Sequence, residues 1–152
     1  MRRWVLILVL VAIFAASVAE PLWQGNDSLE VLLRQHGLQP SDWKVCNQIA
    51  IEYTRAEQFE SAAGFYRKVL TLNPAFVPAR KNLGAVLWFA NRKREAEKIF
   101  RGLLAEIPKD VVPHLYIALA LYERRQFAEA KLHFSQAGEL AMQNKAVPRA
   151  SA

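Results

Sequence analysis

The side chains in this sequence able to ligate a metal or attack an electrophile are few: His36, His114, His133 and the single cysteine, Cys46. A zinc centre draws its ligands from pairs set a few residues apart. Here the histidines stand 78 and 19 residues apart, on what read as different elements with no shared face, and no carboxylate lies at ligand spacing. They read as surface or contact histidines, and no metal is expected. No serine or cysteine sits in a nucleophile motif, and no glycine-rich phosphate loop follows a strand. Catalysis and a cofactor are therefore not expected. Glu57, Glu60, Glu95, Glu97 and Glu129 cluster where second helices of helix pairs begin, and a carboxylate there is favoured by the positive end of the helix dipole. Cys46 has no partner for an intrachain disulfide and is expected in the core.

Those residues must be carried by helices. The chain is 53% hydrophobic and 22% charged with six glycines, a composition that excludes a disordered chain, and no stretch alternates with period two. Its net charge of +6 falls in small clusters such as Arg67-Lys68 and Arg92-Lys93-Arg94, which suits solvated loops better than a continuous anion-binding stripe. Pro74 and Pro78 lie just ahead of the apolar run 83–90, and Pro108 and Pro113 repeat that grammar 34 residues later. Proline lacks an N–H and is tolerated only at a helix start, so each proline pair marks a joint between helices. Helix pairs are expected at 42–55 with 58–72, 78–90 with 93–106, and 112–124 with 127–142. A shorter helix with Asn26, Asp27 and Ser28 as N-cap candidates precedes them and stops at Gly37 and Pro40.

At a period of 34 the pairs fall into register. Ala62, Ala96 and Ala130 align, as do Tyr66, Phe100 and Phe134, Ile49, Leu83 and Ile117, and the small residues Ala50, Gly84 and Ala118. This resembles the tetratricopeptide repeat, with its Leu-Gly-x2-Tyr on the first helix, Ala-x3-Phe on the second and a closing proline. The resemblance covers 41–142 in three repeats, 43–76, 77–110 and 111–142. Cys46, Arg80 and His114 replace the usual tryptophan, and Met142 replaces a fourth proline. Ser28, Leu32 and Pro40 match the second helix of a half repeat, which makes residues 20–40 a linker and capping helix and 143–152 a flexible tail. The fold implied is all-α, a right-handed superhelix of antiparallel helix pairs. Small residues allow helix axes to approach to about 8–10 Å, so Gly84, which costs roughly 1 kcal/mol in a helix, is expected opposite a large side chain such as Phe100.

The resemblance also implies that the first helices line a concave groove. Opposite their core faces stand Lys44, Asn47, Gln48, Ile51, Thr54 and Arg55, then Lys81, Asn82, Ala85, Trp88 and Phe89, then Val112, Leu115, Tyr116, Leu119 and Tyr122. We read them as a partner-binding surface, polar to basic at one end and aromatic at the other, since large apolar patches mark interaction sites. Some family members clamp a carboxylate with lysine, asparagine and arginine. Here only Asn82 matches, and Ile51, Val112 and Tyr116 replace clamp residues.

Residues 1–19 stand apart. Arg2 and Arg3 precede an apolar run from Trp4 to Ala16, and Ser17 and Ala19 are small residues ahead of Glu20. The segment is a cleaved export signal or a retained anchor through 4–19, and either sends the rest outside the cytoplasm, periplasmic or secreted. The expected partner is another protein, a component of the envelope or of a membrane complex, with no nucleic acid and with membrane contact only through 4–19. The alternative is a scaffold that self-associates as a homo-oligomer through an uncapped last repeat.

Overall fold

The computed structural model describes residues 27–146, with side chains for 28–145. The helices are α1 (Asp27–Leu38), α2 (Trp43–Arg55), α3 (Phe59–Leu72), α4 (Val77–Phe89), α5 (Lys93–Glu106), α6 (Val111–Glu123) and α7 (Phe127–Ala146). There is no strand among the described residues. Each helix packs on the next in the chain, and α4 also touches α6, so the fold is an all-α stack of antiparallel pairs. Residues 1–19, expected as an export signal or anchor, the linker up to 26 and the last six residues lie outside the described residues.

Helix bounds follow the joints read from sequence, with one departure. Residues 143–146, expected as tail, continue α7, because Met142 stands where Pro74 and Pro108 follow the ends of α3 and α5. Asp42 caps α2 by accepting from the Lys44 and Val45 amides at 2.8 and 3.4 Å, and Asp110 caps α6 by accepting from Val112 at 3.1 Å. Between them in the period stands Phe76, which packs its ring on Trp43 at 4.7 Å instead. Within each pair the turn is made by a residue with positive φ, at 57° for Glu57 and 61° for both Asn91 and Arg125. The next amide in each case reaches back to a carbonyl five residues earlier, as in Gln58 N to Tyr53 O at 2.9 Å, which closes the helix end.

The core repeats with the sequence. Ile49, Ala50, Ala62, Leu83, Ala96, Phe100, Ile117, Ala118 and Leu121 are buried, and so is Cys46. A Cβ on Gly84 would lie 2.6 Å from Phe100 Cζ, so the Phe100 ring occupies the space that the missing side chain leaves. Charged groups tie neighbouring repeats: Arg92 reaches Glu60 at 3.0 Å, Lys93 reaches Glu123 at 2.5 Å, and Arg124 grips buried Glu97 at 2.7 and 2.9 Å. Arg101 also donates to Glu97, and the two guanidiniums hold its carboxyl below the usual carboxylate range against the opposing effect of burial.

Candidate functional site: the open face of the first helices

The residues expected on the open face divide into three groups. The first fills seams between repeats. Tyr116 stacks flat on Phe100 from the preceding pair, with ring centroids 4.5 Å apart, and Trp88 meets Tyr116 edge-on at 5.7 Å. Asn82 lies within hydrogen-bonding reach of the buried Tyr66 hydroxyl, as does Thr54. Burial raises the pKa of both tyrosines, so each remains a neutral phenol. Phe89 stacks on Phe59 of the preceding repeat at 5.4 Å while keeping most of its surface in solvent. The seam has one rule: a first-helix side chain lies on the large residue of the second helix before it.

The second group is charged and already engaged. Lys81 pairs with Asp110, Arg55 with Glu52 at 2.6 Å, and Lys44 lies over the Trp43 ring at 5.9 Å. Ion pairing leaves the polar end of the face less basic than its composition suggests. Lys93 sits over Trp88 at 5.1 Å, which offers that indole a cation as well as a neighbour ring.

The third group is open. At the α1 end a cavity of about 680 Å³ is lined by Ser28, Val31, Leu32, Gln48, Ile51, Glu52 and Arg55. It lies between α1 and α2. The α1 lining was absent from the residues expected on the face, although the register of Ser28 and Leu32 pointed to it. The Asn47 side-chain oxygen on α2 is buried without a partner among the described residues. At the other end Leu115, Leu119 and Tyr122 are exposed, with Tyr122 edge-on to Phe127 at 5.4 Å. Their counterparts one repeat earlier, Lys81, Ala85 and Trp88, and two repeats earlier, Asn47, Ile51 and Thr54, are half-buried. The difference arises because each earlier row has a following first helix beside it.

The expectation that the histidines share no face needs correction. His114 and His133 share a face: their Nδ1 atoms lie 3.0 Å apart, and His114 Nε2 donates to the Pro108 carbonyl at 3.1 Å. With that hydrogen committed, the tautomer of His114 that carries it leaves a lone pair at Nδ1, the geometry for a hydrogen bond from His133 Nδ1–H. The period puts His114 four residues into the first helix, at the usual tryptophan position, and imidazole-to-imidazole pairing there had no signal in spacing. His36 is likewise no lone surface group: Lys68 Nζ donates to its Nε2 at 2.8 Å, and its Nδ1 faces Cys46 Sγ at 3.7 Å. Among the described residues no three His, Cys, Asp or Glu side chains converge as a metal site.

Paired antiparallel helices stacked at a constant interval, with small-to-large contacts inside each pair, define the α-solenoid class. A family model described as tetratricopeptide repeat matches residues 53–120. Among solved structures, MamA of MSR-1 superposes with a TM-score of 0.71 at 26% identity, covering 80% of this chain and 70% of that one. MamA of AMB-1 gives 0.68 at 28% identity, with 76% and 68% covered. MamA from Desulfovibrio magneticus RS-1 gives 0.69 at 21% identity over 78% and 67%, a likeness of fold. No curated protein matches the chain. Residues 53–120 thus carry tetratricopeptide repeats, and the fold is that of a protein-interaction or scaffold module.

Proposed function

We propose that this protein works outside the cytoplasm as a non-catalytic assembly factor, holding an extended or helical segment of an envelope protein along the groove of its first helices. The observation that carries this reading is the 680 Å³ cavity between α1 and α2, with Ile51 and Arg55 in its lining. Half-buried Trp88 lies between it and the exposed pair Leu115 and Leu119. Apolar side chains that the fold leaves unburied offer anchors, and the cations Lys44, Arg55 and Lys81 form the rim that steers an approaching segment. Delivery outside the cytoplasm rests on the arginines and apolar run of residues 1–19.

The test pairs binding with stability. Cross-linking a tagged chain in its native envelope identifies the partner. Alanine at Ile51, Trp88 or Leu119 is then expected to weaken binding by about 2 kcal/mol or more with the fold intact. If Trp88→Ala melts early yet binds normally once folded, the aromatics belong to packing alone and the groove reading fails. Protein recovered from cells should begin near Glu20 or stay with the membrane, and an intact N-terminus in the soluble cytoplasmic fraction would overturn the placement.

A further inference from the structure

The forward face of the third repeat is built to be covered. In the first two repeats this face is closed by the next first helix. Phe59 takes Phe89 and Lys93 takes Glu123, Tyr66 takes Asn82 and Phe100 takes Tyr116, and Glu97 takes Arg124. The same places in the third repeat are Phe127, Phe134 and Lys131. Among the described residues no following first helix covers them: Phe134 is 38% exposed where Phe100 is 0% and Tyr66 2%, and Phe127, met only by Tyr122 of its own pair, is 56% exposed. A repeat face left to water is polar. This one is the opposite, since Leu115 and Phe127 replace the lysines Lys81 and Lys93 that reach forward from the second repeat. Lys131, exposed on the face, stands where Glu97 receives an arginine, with its sign reversed.

We infer that this face docks an amphipathic helix of a different, acidic protein, in the position of a fourth first helix. The seams upstream specify its side chains. An aromatic residue must lie on Phe134 as Tyr116 lies on Phe100. Seven residues further a second apolar or aromatic one must meet Phe127 as Phe89 meets Phe59. The residue after that must carry a carboxylate for Lys131, taking the part of Arg124 with opposite charge. A second copy of the chain suits the face poorly. It carries a net charge of +6 and would bring to the contact a face that again carries Lys131. This face borders the groove at Leu115, but the docking rests on Phe127, Lys131 and Phe134 of α7 and not on the groove reading.

The probe is a labelled peptide of residues 77–90, which already has Phe89 in place, carrying Asn82→Tyr and Ala90→Glu. Fluorescence anisotropy with the full chain should give saturable binding. Lys131→Glu in the protein should weaken it at least tenfold, and the peptide with Ala90→Lys instead should restore it. Phe134→Ser should weaken both peptides at least tenfold, while circular dichroism melts of both protein variants stay near wild type. Substituting the groove residue Leu119 tests nothing here, so groove controls use Ile51→Ala, which should leave peptide affinity unchanged. Binding insensitive to Lys131 and Phe134, or no binding at all, would overturn the proposal. So would a concentration-dependent doubling of mass lost with Phe134→Ser, which would assign the face to a second copy.

Discussion

Tyr116 lies flat on Phe100, with planes 6° from parallel, although the two belong to different repeats. Phe100 therefore points the tip of its ring at the bare backbone of Gly84 and takes a ring from the following pair on its face. One buried side chain links three helices, α4, α5 and α6, and its removal must be felt by all of them.

Phe100→Ala should cost roughly 3–5 kcal/mol, since it empties a fully buried site whose walls are fixed by helix packing. A chemical denaturation series checks it, and loss in the range of a surface substitution would refute the contact.

Glycines within one stack should respond with opposite sign. Gly84→Ala forces a Cβ into the Phe100 ring and should destabilise by about 1–3 kcal/mol despite alanine's better helix propensity. Gly102→Ala, with open space around it in α5, should stabilise by up to about 1 kcal/mol. Melting temperatures that move in the same direction would contradict this packing.

Glu57 and Arg125 hold the left-handed conformation that glycine adopts without strain. Replacing either by glycine relieves a cost of about 1 kcal/mol, part of which is offset by glycine's greater freedom in the unfolded chain. A gain of a few tenths of a kcal/mol is expected at both, and less at Asn91, whose side chain tolerates that region. Equal losses at all three positions would argue against the turn geometry.

Acid should destabilise the fold in two stages. Burial, then the adjoining Lys68, lowers the pKa of His36; burial, then His114 and Arg101, lowers that of His133, with Glu129 opposing. A base whose folded pKa is lowered binds its proton more readily unfolded, so its contribution is complete above the ordinary imidazole value of about 6.5 and is lost as pH falls below it. Glu97, lowered first by Arg124, adds a second loss as pH drops below about 4.5. His36→Gln with His133→Gln should flatten the first stage and leave the second. A melting temperature that rises between about pH 7 and 5.5 would reverse the assigned signs.

The joints, the pairing and the small-to-large register were legible because prolines and alanines act locally and recur every 34 residues. Tyr116 and Asn82 were harder. At 100° per residue they fall on the open side of their helices, yet the neighbouring repeat bends round to meet them, and helical angle alone carries no information about that neighbour. The His114–His133 contact was invisible for the same reason, since its partners are chosen by the packing of α6 on α7. Conversely, the left-handed turns carry no glycine, so their usual marker was missing.

A chain assembled from near-copies runs a particular risk while folding: any unit could settle against the wrong neighbour. The seams answer it by being keyed differently. Tyr66 offers a hydroxyl that Asn82 answers, whereas Phe100 offers a bare ring that Tyr116 covers. Interchanging those mates would strand the Asn82 amide against hydrocarbon and leave the Tyr66 hydroxyl short of a bond, at about 1–3 kcal/mol for each buried group left unsatisfied. The order of the units is thus written in which surfaces refuse one another, and a mis-sorted intermediate is repelled back towards the single arrangement in which every lock meets its own key.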